Sequence, residues 1–294
     1  MAISTKHAPT PRATLKGRSF LTTEDFTREE LSEVLDLAIQ YKTLGHGRPL
    51  KGRSVALLFF DPSLRTRVSM EIAIQQLGGQ AVVLDVGKGT WALEHREGVI
   101  MDGDRSEHIK EAARVLSRYV AAIGVRSFPA LRSFEEERHD PVLRSFARYS
   151  TVPIINMESA MFHPLQAMAD VMTIRETFGL VDQRRVVLCW AYHPKPLPMA
   201  VPNSFALIAA QFGMDLTIAC PPPNTSWIPS SWSGFASTPA TTVPPCASFT
   251  TGARRAEARR SFTPRVGAAA TTTGDGRKNE RCASSIASGS WTRR

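Results

Sequence analysis

Phe59-Phe60-Asp61-Pro62-Ser63-Leu64-Arg65-Thr66-Arg67-Val68-Ser69 follows the apolar run Ser54-Val55-Ala56-Leu57-Leu58 and leads into a helical pattern. The order is strand, tight turn, helix start. Pro62 suits the turn, and Ser63 and Thr66 are good capping residues, so free backbone N–H groups should point out of the first helical turn beside Arg65 and Arg67. A guanidinium presents a planar donor fork that can bind two oxygens at once, and the helix dipole adds partial positive charge at the same place. The stretch reads as an anion site. On these residues alone the competing reading, a capped helix with surface arginines, stays open.

Working outward, Thr27 and Glu30 form a capping box for a helix whose stripe Leu31, Val34, Leu35 and Ala38 runs to about Leu44. Residues 54–60 read as a buried strand, 68–77 as a helix and 80–86 as a second strand after Gly78-Gly79. Residues 87–104 are a long Gly- and charge-rich loop carrying Trp91, His95 and Arg96, and read as a lid. Asp104 with Glu107 is expected to cap a helix to about Tyr119, with Ile109, Ala112, Ala113 and Leu116 facing inward.

A strand over 121–125 ends in Arg126, a helix covers 142–149, and a strand over 152–157 leads to Glu158. His163-Pro164-Leu165-Gln166 opens a helix to Phe178, with Pro164 at a first-turn position where its missing N–H is not needed. Strand 185–191, helix 200–212 and strand 216–219 follow. This alternation predicts an α/β chain with parallel sheets, whose ligands sit at the carboxyl ends of the strands. Arg65, Arg126, Glu158 and His163 each follow such an end. Asp170 and Arg175 read as a helix-surface pair or an interdomain contact, and Tyr192, His193 and Lys195 as cleft-lining or structural residues.

The chain has 294 residues, 43% of them hydrophobic, enough for two domains. The pattern stops after Pro221. From Asn224 to Arg294 only Ile228, Val243, Val266 and Ile286 represent Val, Ile, Leu and Met, and the rest is rich in Ser, Thr, Pro, Arg, Ala and Gly. Such a segment cannot bury enough apolar surface to fold, so residues 222–294 are expected to be a disordered tail. Residues 222–294 hold ten Lys/Arg against three Asp/Glu, which is +7 of the chain's +9. The basic pI therefore belongs to the tail and does not argue for a nucleic-acid or membrane surface in the folded part. A basic-tail nucleic-acid binder ranks low for want of a motif.

Cys189, Cys220, Cys246 and Cys282 show no C-x-x-C pair, so neither a metal site nor a disulfide framework is read, in keeping with a reducing, cytoplasmic compartment. No apolar run approaches the ~18 residues of a membrane span. Residues 1–17 read as a disordered extension, with a transit peptide as the alternative.

With Ser63-Leu64-Arg65-Thr66-Arg67, the Trp91 loop, Arg126 and His163-Pro164-Leu165-Gln166 in that order, the chain resembles the transcarbamylases, the aspartate/ornithine carbamoyltransferase family. Gly89-Thr90-Trp91-Ala92-Leu93-Glu94-His95, Asn156-Met157-Glu158 and Trp190-Ala191-Tyr192-His193-Pro194-Lys195-Pro196-Leu197 make it most like the N-acetylornithine carbamoyltransferase branch. The resemblance spans residues 18–221. It implies a two-domain α/β fold with a carbamoyl-phosphate-binding domain at 18–162, then an interdomain helix and a partial amino-acid-binding domain at 163–221. It also implies a cytoplasmic homotrimer without cofactor or metal, with small-molecule substrates rather than nucleic acid or membrane as partners.

The implied reaction moves a carbamoyl group from carbamoyl phosphate to N-acetyl-L-ornithine, giving N-acetyl-L-citrulline and phosphate in arginine biosynthesis. Ornithine or N-succinylornithine are the alternative acceptors, and a remnant that only binds carbamoyl phosphate is the alternative of another class. By the resemblance, Ser63, Leu64, Arg65, Thr66 and Arg126 hold the phosphate, and Trp91 reaches the site of a neighbouring subunit. His163 and Gln166 bind the carbamoyl group, Glu158 contacts the amino-acid substrate, and Arg65 and His163 are the catalytic pair.

The chain also departs from the family. Leu165 stands where cysteine is common, and Pro198-Met199 where an asparagine is usual. The lysine loop, the His-Cys-Leu-Pro element and the late arginine of full-length relatives have no counterpart, so a change of reading frame between Pro221 and Asn224 is expected, a natural disordered tail being the alternative. Activity is expected to be impaired, and Val171, Ile174 and Leu207 are expected to be left exposed.

Overall fold

The computed structural model describes residues 15–45, 47–189 and 198–219. These all belong to one compact unit, residues 1–262. The expected extension before residue 15, Tyr192, His193 and Lys195 at the end of the seventh strand, and the 222–294 tail lie outside the described residues.

Helix α1, Arg28–Leu44, begins at the predicted capping box: Thr27 Oγ1 accepts from the Glu30 N–H at 3.2 Å, and Glu30 accepts from the Thr27 N–H at 2.9 Å. Strands β1 (Ser54–Phe59) and β2 (Gln80–Asp85) flank helix α2 (Leu64–Gln76), which starts four residues earlier than its apolar pattern because Ser63 caps it. Two short strands, β3 (Leu93–Glu94) and β4 (Glu107–His108), pair in parallel inside the long loop. Helix α3, Ile109–Tyr119, is capped by His108, whose Nδ1 accepts from the Lys110 N–H at 3.0 Å. The expected Asp104 cap is therefore not used, because β4 holds Glu107 in an extended strand.

Strand β5 (Ala122–Arg126), helices α4 (Phe134–Glu137) and α5 (Pro141–Tyr149), and strand β6 (Ile154–Asn156) complete the first sheet region. Helix α6 (Pro164–Phe178), strand β7 (Arg185–Cys189), helix α7 (Ala200–Gln211) and strand β8 (Asp215–Ala219) follow.

The first sheet has the order β2-β1-β5-β6, parallel throughout. The strand order reverses between β1 and β5, and ligands of open parallel sheets gather at the carboxyl ends beside such a switch point. Val55 to Phe59 are buried. On one face Val55, Leu57 and Phe59 pack with Ile74 of α2 and Met157; on the other, Ala56, Leu58, Ile123 and Val125 pack with Ile109 of α3 and Phe146 of α5. Gly124 permits this closeness, since a Cβ there would lie 2.7 Å from the Met157 sulfur and 3.0 Å from Leu57 Cδ2.

The second sheet is the parallel pair β7-β8. Leu216 and Ile218 of β8 join a core with α1, α6 and α7 that includes Leu31, Leu35, Met168, Val171 and Ile208. Val171 has no exposed surface, which corrects the expectation of a bare patch there: it lies in one core with α1, α7 and β8. Ile174 and Leu207 are half-buried. Val187 of β7 is 61% exposed. Asp170 and Arg175 do not pair with each other. Asp170 accepts from Gln166 Nε2 at 2.8 Å, and Arg175 reaches Asp36 of α1 at 2.6 Å.

Candidate active site

Ser63 sits in extended backbone and its Oγ accepts from the Thr66 N–H at 3.2 Å, satisfying one of the unpaired donors of the first turn of α2. The two arginines of the stretch then part company. Arg67 makes a bidentate pair with Asp85 at the end of β2, at 3.0 and 2.8 Å, and lies 5.4 Å above the Phe59 ring. It ties the helix to the sheet and is not available to an anion. Arg65 is exposed and, among the described residues, has no hydrogen-bond or ion-pair partner; its charge acts on Glu158 at longer range.

Arg126 enters from the carboxyl end of β5. Its guanidinium is buried, stacks 4.4 Å from the Phe128 ring centroid, and directs Nη1 at Thr66 Oγ1 and the Met157 carbonyl, both at 3.4 Å. The same nitrogen donates to Glu158 Oε2. Arg126 Nε is buried without a hydrogen-bond partner among the described residues.

Glu158 follows β6 in a left-handed conformation, φ 122°, which costs a side-chain-bearing residue about 1–3 kcal/mol and persists only where surroundings enforce it. Its N–H donates to Asn156 Oδ1 at 2.9 Å, and its carbonyl accepts from the Ser127 N–H at 3.0 Å. Burial raises the Glu158 carboxyl above its ordinary value, against the pull of Arg126.

His163 completes the group, with Nε2 3.6 Å from Glu158 Oε2 and its backbone N–H donated to Ser204 Oγ of α7 at 2.7 Å. Its Nδ1 is buried without a partner. Burial, and then the neighbouring Arg126 charge, push the imidazole down to about 4, so it is neutral at physiological pH.

Contacts thus connect Ser63, Thr66, Arg126, Glu158 and His163 into one chain at the switch point, with Arg65 beside it. Leu64, in the first turn, is exposed. Trp91 and Gln166 are not in these contacts. Trp91 is 59% exposed and donates its indole N–H to Glu107 at 2.9 Å, while Gln166 bonds to Asp170 along α6. The Trp91 loop is anchored by buried Glu94, which accepts from the N–H groups of His95 and Arg96 at 2.8 and 2.9 Å and from Arg96 Nη2 at 2.8 Å. These bonds, that to the Arg96 side chain first, hold its carboxyl far below the usual carboxylate range.

Sequence reasoning passed over Asp61, whose Oδ2 accepts from the Phe128 N–H at 2.7 Å and joins the turn after β1 to the segment after β5. Its position before Pro62, inside the anion stretch, was the available signal. Among the described residues no group of His, Cys, Asp or Glu is arranged to hold a metal, and no helix is long and apolar enough to cross a membrane.

Fold and site define an α/β protein in which the Ser63 cap, Thr66, Arg126, Glu158 and His163 meet beyond the carboxyl ends of β1, β5 and β6, with the exposed Arg65 beside them. The chain belongs to the aspartate/ornithine carbamoyltransferase family: residues 18–176 match its carbamoyl-P binding domain. It is 51% identical over 209 residues to N-acetylornithine carbamoyltransferase of Xanthomonas campestris pv. campestris, covering 70% of this chain and 61% of that protein. It is 42% identical over 177 residues to N-succinylornithine carbamoyltransferase of Bacteroides thetaiotaomicron, covering 60% of this chain and 54% of the relative. A crystal structure of acetylornithine transcarbamylase complexed with acetylcitrulline superposes with a TM-score of 0.68 at 47% identity, over 74% of this chain and 65% of that one. The chain therefore spans about 61% of the length of its N-acetylornithine carbamoyltransferase relative from Xanthomonas campestris.

Proposed function

We propose that this chain binds carbamoyl phosphate in the crevice at the β1/β5 switch point, and that its class of reaction is carbamoyl transfer to N-acetylornithine in arginine biosynthesis. The observation that carries the reading is the contact chain from the Ser63 cap through Thr66 and Arg126 to Glu158 and His163. In the transfer an uncharged amine attacks the carbonyl carbon and negative charge grows on the carbonyl oxygen; the C–O bond to phosphate then breaks, and the departing phosphate takes the proton that the amine sheds. Such a step needs donors aimed at both oxygens, placed before the reaction begins.

We assign phosphate binding to Ser63, Leu64, Arg65, Thr66 and Arg126. His163, as a neutral imidazole, is the donor toward the developing oxyanion, with Gln166 turning from Asp170 to the carbamoyl amide. Without ligand, Glu158 neutralises Arg126. When phosphate takes Arg126, the Glu158 carboxylate is released to meet the amino-acid substrate, so the two substrates add in that order. We assign residues 18–162 to a carbamoyl-phosphate-binding domain and 163–221 to an interdomain helix with a partial amino-acid-binding domain, and the site draws on both, Glu158 from the first and His163 and Gln166 from the second. Since residues 222–294 have no family counterpart, turnover by this chain is impaired. We further assign it to the cytoplasm and to a homotrimer in which exposed Trp91 serves a neighbouring subunit.

Calorimetric titration with carbamoyl phosphate, followed by assay of citrulline-type product from N-acetylornithine, N-succinylornithine and ornithine, tests this. Saturable binding with slow or absent turnover, fastest for N-acetylornithine, is expected. No binding would overturn the assignment of the crevice, and turnover at the rate of full-length relatives would overturn the impairment.

A further inference from the structure

An aspartate immediately before a helix ordinarily turns its carboxylate back to accept from the first-turn N–H groups. Asp140 precedes α5 and makes no such bond, its own backbone being left-handed at φ 48° rather than in the extended conformation of a cap. It is 5% exposed, and its carboxylate points at a different element. Oδ1 accepts from the N–H groups of Ala160 and Met161 at 2.8 and 3.3 Å, and Oδ2 accepts from the Ser159 hydroxyl at 2.9 Å. Three donors of the segment between β6 and α6 therefore converge on one buried carboxylate.

That segment begins with Glu158 and ends with His163. Ser159 Oγ also accepts from Asn156 Nδ2 at 3.1 Å, and Asn156, fully buried, holds the Leu21 and Phe162 carbonyls at 2.8 and 3.1 Å while its Oδ1 receives the Glu158 N–H. From the other side Asn203 of α7 donates to the Met161 carbonyl at 3.2 Å. The strained φ of Glu158 needs enforcement, and this network supplies it from the Asp140 side.

We infer that Asp140 is a positioning residue of the site: through Ser159, Ala160 and Met161 it holds the loop that sets Glu158 against Arg126 and buries His163. This rests on the crevice being the functional site. An asparagine at 140 keeps the acceptor for Ala160 and Met161 but faces Ser159 with a donor, whereas alanine removes all three bonds.

The test follows the ring resonance of His163 by NMR in the full chain, assigned with H163Q, together with carbamoyl phosphate affinity and thermal stability, in wild type, D140N, D140A and S159A. Expected in D140A, where all three bonds to the loop are lost, is a His163 titration moved up from its depressed position toward the ordinary imidazole range, with affinity weakened about tenfold or more. D140N should keep affinity within about threefold, a rescue that a bond count alone predicts. S159A should shift the titration in the same direction by less.

Unchanged His163 titration in folded D140A overturns the inference. Should D140A not fold, unchanged titration in folded S159A overturns it equally. If the wild type fails to bind carbamoyl phosphate, the functional reading falls, and the His163 titration still decides the role of Asp140.

Discussion

The two parallel sheets of this molecule are built alike and finished differently. The four-stranded sheet has packed side chains on both faces, from α2 on one and from α3 and α5 on the other. In the β7-β8 pair the described helices α1, α6 and α7 share one core with the strands, and Val187 is left largely in solvent. Parallel strands are normally buried on both faces. The contrast teaches where chemistry can be held rigidly: the crevice residues Arg126 and Glu158 hang on the doubly covered sheet, while the second region reaches the site mainly through α7, by Ser204 and Asn203.

The largest effect is expected for stability. L57A, in the closed sheet, should cost about 2–5 kcal/mol, and V187A less than about 0.5 kcal/mol, read by chemical denaturation. Equal costs would erase the distinction between the regions. Next, R126A should weaken carbamoyl phosphate binding by about a hundredfold, since charge-assisted bonds contribute about 1.5–3 kcal/mol. S204A, which removes one acceptor supplied by the second region, should weaken it only by a few-fold. A larger effect of S204A would mean that the second region shares the site equally.

E158Q sharpens the comparison within the crevice. It frees Arg126 from an internal carboxylate, so phosphate affinity should rise by a few-fold while any response to N-acetylornithine is lost. Lower phosphate affinity in a folded E158Q would mean that Glu158 orients Arg126 rather than competing with phosphate.

The last comparison is a pH dependence. Folded His163 lies at about 4, below the ordinary 6.5 of the unfolded chain. Between these values the unfolded chain binds a proton that the folded chain refuses, so the contribution of neutral His163 is complete above about 6.5 and is lost as pH falls toward 4. Melting temperature of wild type relative to H163Q should therefore fall on acidification through that window and stay flat above it. Asp140 runs the other way: burial raises it to about 6, so relative to D140N the wild type should lose stability as pH rises from about 4 to 6.

Much of the first region was legible because its signals are local. The Thr27–Glu30 box, the Ser63 cap and Pro164 at the start of α6 act within a few residues of themselves. The α/β alternation and the convergence of Arg65, Arg126, Glu158 and His163 on strand ends follow from hydrophobic period and motif order. Other residues took partners far along the chain, which no local pattern announces. Arg67 turned to Asp85, His108 replaced Asp104 as a cap once β3 and β4 had paired, and Val171 joined a core with α1, α7 and β8.

The sequence by itself determined the parallel α/β class, the family and the capped turn from Ser63 to Thr66, because capping, period and motif order are short-range properties. Tertiary structure alone decided that only one of the two loop arginines is free, that Glu158 lies against Arg126 in a strained backbone, and that the carboxylate of Asp140 abandons its own helix to hold the loop beside them. The physical reason is that a buried charge takes whatever partner the packed chain brings within about 3 Å, and that partner is chosen by the fold rather than by sequence distance.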